Sequence, residues 1–189
     1  NVTDMSHMFE GASTFNQDIG NWDVSNVKNM ISMFNSASNF NKNLSKWNVS
    51  NVSDMSGMFT SASNFNQNLS NWDIKSVTTM HSIFSRSGLS RENYDSILIT
   101  WESKPHKNYI KFYPYDLVYC SGDSARSELI KDGWIFNGDT KNCLLTSVSD
   151  TEQAKHESIY ISPNPTKGIV NIEVDNLHND HLILVYNSN

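Results

Sequence analysis

The sequence predicts an α/β repeat solenoid, with a short helix and a short parallel strand in each 25-residue coil. A small α+β cap and a partial β-sandwich are expected to follow it. Three observations carry this expectation. Self-comparison gives a period of 25 residues, the apolar spacing within a period changes from helical to strand-like, and the pattern fails after Phe84. The period appears as whole columns. Val2, Val27, Val52 and Val77 align, as do Met5, Met30, Met55 and Met80. Met8, Met33, Met58 and Ile83 form the next column, followed by Phe9, Phe34, Phe59 and Phe84. Phe15, Phe40 and Phe65, then Ile19, Leu44 and Leu69, then Trp22, Trp47 and Trp72, and finally Val24, Val49 and Ile74 complete the set. All seven methionines lie in two columns, which chance does not produce. The Met, Phe and Trp columns are the expected repeat core over residues 1–87.

Within a repeat, Met5, Met8, Phe9 and Ala12 stand at i, i+3, i+4 and i+7, the apolar face of a two-turn helix. Asp4, Asn29, Asp54 or Thr79 precedes that run, and each is a preferred N-cap. Farther on, Trp22 and Val24 alternate with Asp23, as in a strand with one buried face. Asn, Ser and Gly fill the intervals as turns require. One such unit cannot bury its apolar face alone, so units are expected to stack with parallel strands.

The polar columns have a structural reading. Asn16, Asn41 and Asn66, or Asn26 and Asn51, would hydrogen-bond along the stack, and Asp23, Asn48 and Asp73 interleave charge with amide. A calcium column is the alternative, although the glycine-rich nonapeptide pattern of calcium-binding β-rolls is absent. The Trp column could likewise offer sugars a platform, but it runs in phase with the buried Val column, which favours core.

Residues 88–104 read as a helix, with Ser90 as N-cap and Tyr94, Ile97, Leu98 and Trp101 as its apolar stripe. This helix is placed to supply the terminal unit that a repeat stack needs. A second helix is expected over Ser124–Lys131, ending at Gly133, with Trp134-Ile135-Phe136 after it. The capping region is thus set at 88–143. Residues 144–157 lose both repeat and apolar period and read as a linker.

Composition excludes several function classes. No apolar run approaches the roughly 20 residues of a membrane span. Fourteen Lys+Arg against twenty Asp+Glu, with net charge -6 and no basic cluster, argue against nucleic acid as a partner. Asn1 opens directly in patterned sequence, without the parts of a signal peptide, and the chain reads as a segment of something longer. The six histidines are scattered, and no nucleophile elbow, zinc-protease, P-loop or dinucleotide motif occurs. No catalytic residue, metal ligand or cofactor is expected. Asn43-Leu-Ser and Asn48-Val-Ser fit a glycosylation pattern, but an Asn/Ser-rich repeat produces such triplets by composition.

The repeat starting Asn51-Val-Ser-Asp-Met-Ser-Gly-Met-Phe and running through Phe65-Asn to Trp72-Asp resembles the 25-residue repeats of BspA-like bacterial surface proteins. Those repeats are relatives of the leucine-rich repeat class. The resemblance covers residues 1 to about 87, and the Asn93-Tyr-Asp…Trp101 helix extends it. It implies a leucine-rich-repeat-like fold and a surface or secreted protein used for adhesion or protein contacts. It implies no chemistry. If the chain works outside the cytoplasm, Cys120 and Cys143, the only cysteines, are expected to form a disulfide rather than a metal or catalytic pair.

Residues 158–189 hold three strand-like runs, Ile159-Tyr-Ile, Gly168–Val174 and Leu182–Tyr186. Ser162-Pro-Asn-Pro-Thr-Lys-Gly, with Pro163, Asn164, Pro165 and Gly168, resembles the opening of the C-terminal sorting domain of type IX secretion, an immunoglobulin-like sandwich. That resemblance implies export by the type IX secretion machinery to the outside or outer surface of a Gram-negative bacterium. The expected function is non-enzymatic adhesion or protein–protein interaction, with a host or neighbouring-cell surface protein or glycan as partner. The alternative is a non-catalytic module, carbohydrate-binding among its options, of a larger secreted enzyme.

Overall fold

A computed structural model describes residues 1–143. The expected linker at 144–157 and the expected sorting segment at 158–189, with Pro163, Asn164, Pro165 and Gly168, lie outside the described residues.

Successive 25-residue coils lie one on the next, joined by isolated parallel bridges Asp4↔Asn29, Asn29↔Asp54 and Asp54↔Thr79. The amides of Met5, His7, Phe9 and Gly11 donate to the carbonyls of Asn29, Ile31, Met33 and Asn35 at 2.7–2.9 Å. Met30, Ser32, Phe34 and Ser36 repeat this toward the third coil, and Met55, Gly57, Phe59 and Ser61 toward the fourth. The intervening amides stay within their own coil: Met8, Glu10 and Ala12 donate to the carbonyls of Met5, His7 and Phe9. Backbone donors therefore alternate between the neighbouring coil and the home coil, so few are left without a partner.

That alternation replaces the helix expected at Met5–Ala12. His7, Ser32, Gly57 and Ser82 take φ of 58°, 52°, 65° and 56°, and Gly11, Ser36, Ser61 and Arg86 take 71°, 60°, 57° and 56°. An α-helix needs φ near -63°, so two left-handed residues per coil exclude it. The expected cap column still uses its side chains. Asp4, Asn29 and Asp54 accept from the amides of Ser6, Ile31 and Ser56, two residues on, closing turns instead of starting helices. The strand expected at Trp22–Val24 is also absent. There Trp22 donates to the Ile19 carbonyl and Val27 to that of Val24, so this side of the coil consists of turns. The parallel bridges fall on the Asp4 column instead.

The core lies between these two sides. Met30, Met33, Phe34, Met55, Met58, Phe59, Met80 and Phe84 are fully buried, with Met5, Trp47 and Trp72 nearly so. Phe34 stacks on Phe40 at 4.2 Å within a coil and on Phe59 at 5.5 Å between coils. Three expected core residues differ. Met8 is 52% exposed, Trp22 is 38% exposed and Phe9 is half-buried. All three belong to the first coil, which among the described residues has no coil ahead of it.

Beyond Phe84, α1 (Arg91–Ser103) begins at Ser90, whose hydroxyl accepts from the Asn93 amide. It buries Tyr94, Asp95, Ile97, Leu98 and Trp101. Trp101 continues the tryptophan column, its ring 6.2 Å from Phe84, as Trp72 stands 6.3 Å from Phe59. Then come β1 (Lys111–Phe112), β2 (Val118–Tyr119), α2 (Asp123–Lys131), β3 (Ile135–Phe136) and β4 (Thr140–Lys141). β1 pairs parallel with β3, Lys111 opposite Ile135, and β2 pairs parallel with β4, Val118 opposite Thr140. Arg86 donates to the Tyr115 carbonyl and Ile135 to that of Ile110, so the coil-to-coil ladder runs on into the cap. Cys120 and Cys143 form a disulfide with their Cα atoms 4.9 Å apart, tying the end of β4 to the loop before α2.

Candidate interaction surface

The repeat places like side chains above one another on the outside of the coils, and the inside accounts for which residues remain available. The tryptophans of the second and third coils are not available. Trp47 and Trp72 are buried, and their indole N–H groups donate to the carbonyls of Ile19 at 3.1 Å and Leu44 at 3.0 Å. A sugar platform on this column is thereby closed except at Trp22.

The Asn column forms a ladder. The Asn16 side chain accepts from the Asn41 amide at 3.0 Å, and Asn41 accepts from the Asn66 amide at the same distance. Asn66 then accepts from the Ser90 amide and the Asn93 side chain, both at 2.8 Å, which passes the ladder to α1. Asn51 instead donates its side chain to the Ser25 carbonyl. Asp23, Asn48 and Asp73 do not bond to one another. Each accepts from the amide two residues on, at Ser25, Ser50 and Lys75.

These bonds set the charges. Hydrogen bonds from the Ser6 side chain and amide hold the Asp4 carboxyl below its ordinary range, and Ser25 does the same for Asp23. For Asp73 burial works against the charged form, but the Lys75 bonds and the charges of Lys75 and Lys104 outweigh it and lower the pKa. Oxygens engaged this way are poorly disposed to ligate a cation. Among the described residues no group of three His, Cys, Asp or Glu is placed to hold a metal ion.

The cap holds two buried carboxylates that sequence reasoning did not find. Asp95 on α1 accepts from the amides of Cys120, Ser121 and Gly122 at 2.9–3.1 Å and from the Ser121 hydroxyl at 3.0 Å. It thereby holds the N-terminal end of α2, where an acceptor is favoured. Asp139 receives the Arg126 guanidinium through two bonds, at 2.8 and 2.9 Å, and the Tyr94 hydroxyl at 2.8 Å. Arg126 also lies over the Tyr119 and Phe136 rings. Burial, and next the Asp139 charge, push the Tyr94 phenol well above its ordinary range. Asp95 could have been flagged as the polar residue inside the α1 stripe. The Arg126–Asp139 pair leaves no local signal, because the two meet only through stacking of the cap.

Two openings occur on this surface. One of about 400 Å³ is lined by Arg91, Glu92, Asp95, Ser96, Ile99 and the Cys120–Cys143 bridge. The other, about 170 Å³, lies at Asp18, Gly20, Asn21, Asn43 and Lys46. Neither lining pairs a nucleophile with a base. No helix among the described residues is long and apolar enough to cross a membrane.

No curated protein and no solved structure matches the chain. A protein family described as "Mycoplasma protein of unknown function, DUF285" matches residues 1–97, which are all four repeats and the first half of α1. That match takes in more than half of the 189 residues, and the chain therefore belongs to the DUF285 family.

Proposed function

We propose that the chain is a surface-exposed or secreted, non-enzymatic repeat protein, a leucine-rich-repeat-related solenoid of BspA-like type that binds other macromolecules in adhesion. The observation that carries this reading is the coil-to-coil ladder. It spends the Met, Phe and Trp columns inside and sets Asn, Ser and Asp at one register on coil after coil. Such repetition provides a long, uniform contact surface rather than a closed site. The Cys120–Cys143 disulfide supports a location outside the reducing cytoplasm. Its partner is a surface protein or glycan of a host or neighbouring cell. Export by type IX machinery, and with it a Gram-negative source, is a proposal resting on the Ser162–Gly168 motif alone, because the family description names Mycoplasma.

The test is surface labelling of intact producing cells with an antibody raised against residues 1–143, paired with an array of host surface proteins and glycans probed with the full chain. Labelling without lysis, together with a saturable array ligand, is expected. Labelling only after lysis, with a silent array, would overturn the reading.

A further inference from the structure

We infer that the outer face of the cap, along residues 109–115, is a binding site for a linear β-linked glycan, which stacks on Tyr109 and Tyr115. This deepens the interaction reading above and rests on it. The residues of this stretch alternate between outside and inside. Ile110, Phe112 and Pro114 are buried, whereas Tyr109, Lys111 and Tyr115 are exposed and Tyr113 is half-buried between them. The adjoining strand adds the exposed Ile135 and Asn137 to the same strip, since Lys111 lies opposite Ile135. The result is a row of aromatic rings on one edge. The four repeats have nothing like it, because no tyrosine precedes Tyr94.

Two features set these rings apart from incidental surface tyrosines. Each rests on a glycine in left-handed backbone, Tyr109 on Gly133 (φ 85°) and Tyr115 on Gly138 (φ 97°). A Cβ at either glycine would collide with the ring, so the glycines are what let the rings lie down on the strand. Second, Tyr109 is itself left-handed, with φ 62°, yet its residue is 80% exposed. A bulky residue pays for that conformation in free energy, and burial of this ring returns little. Strain that packing does not offset points to a use in binding. Backed rings are already ordered, so they lose little freedom when a ligand arrives.

The chemistry of the strip selects the ligand. Its apolar area is divided: the Lys111 ammonium stands between Tyr109 and Tyr113, and the Asn137 amide donates to the Tyr115 hydroxyl at 3.0 Å. A protein hot spot calls for a contiguous apolar centre dried by its rim. A pyranose instead offers a flat C–H face edged by hydroxyls. Its polarised C–H bonds meet the electron-rich ring face, and its hydroxyls meet amide, phenol and ammonium. A β-1,4-linked chain repeats that face along a line, as the tyrosines do.

The probes are β-1,4-linked hexasaccharides of glucose and of N-acetylglucosamine, titrated into the full chain by calorimetry, with saturation-transfer NMR to locate the contact. Binding of at least one is expected, with transfer from tyrosine ring protons. Tyr109→Ala and Tyr115→Ala should each weaken it by about tenfold or more, whereas Tyr109→Phe, which keeps the stacking ring, should stay within about threefold. Unchanged melting temperatures establish that these exposed-site variants are folded. If neither sugar binds at millimolar concentration, or if binding survives both alanine variants, the inference is overturned. A protein ligand on the array that requires Tyr109 while both sugars stay silent would also overturn it, yet leave the broader interaction reading standing. A silent array and internal location would remove that reading itself.

Discussion

Trp72 donates its indole N–H to the carbonyl of Leu44 in the coil before it, and Trp47 does the same to Ile19. Each ring thus fills the core and also closes the backbone of its neighbour. Trp101 occupies the next place in the column, but its Nε1 is buried without a hydrogen-bond partner. Trp72→Ala should destabilise the protein by about 3–5 kcal/mol, as truncation of a large core aromatic does. Trp72→Phe should cost about 1 kcal/mol more than Trp101→Phe, because only the former strips a carbonyl of its donor. Urea unfolding of the three variants checks both numbers.

The column pattern made the core readable from sequence, because residues 25 apart share an environment and the Met, Phe and Trp positions repeat without exception through Phe59. Local conformation was harder. Met5, Met8, Phe9 and Ala12 have helical spacing, but a run of tight turns that folds back every third residue gives the same spacing. Glycine at positions 11 and 57, one in each left-handed column, was the signal against a helix. Serine and histidine at the equivalent positions conceal it. The Asp4 column read as helix caps since a cap and an Asx turn use the same side-chain acceptor. In the cap, α1 was legible from its stripe and from Ser90. The Arg126–Asp139 pair and the tyrosine strip were not, because they depend on which strands the stacking brings together.

Gly57 takes φ 65° with the Ser32 and Thr60 hydroxyls 3.3 and 3.5 Å from where a Cβ would stand. Gly57→Ala should therefore destabilise by about 1 kcal/mol, and Gly57→Val by more, because a β-branched residue resists the left-handed region. Thermal melts of the two variants against the parent protein should rank in that order.

Asp4, Asp23 and Asp73 have carboxyls lowered by hydrogen bonds within the fold. A carboxylate whose folded pKa is depressed contributes stability above its unfolded value of about 4, and that contribution is lost as pH falls through the folded pKa. Stability should accordingly be flat around neutrality and decline as the pH drops below about 4. Asp23→Asn should flatten part of that decline without loss at pH 7, since Asn48 closes the same turn with an amide oxygen. Denaturant melts at a series of pH values read the slope directly.

Asp95 is the acceptor for three successive amides at the entry to α2, close to the disulfide. Asp95→Ala should cost about 3 kcal/mol or more by leaving those donors buried and unpaired. Reducing Cys120–Cys143 should cost about 3 kcal/mol in the chain-entropy picture. Both changes should raise amide exchange in β2, α2 and β4 before the repeats are affected. Equal acceleration at Phe34 and Phe59 would show that cap and repeats unfold as one.

The central claim is that residues one period apart are direct neighbours, coil upon coil. A NOESY spectrum recorded from the indole protons tests it most directly. Cross-peaks from Trp72 to Leu44 and Phe59, and from Trp47 to Ile19 and Phe34, are the result this architecture requires. Indole protons that show only sequential contacts would contradict it.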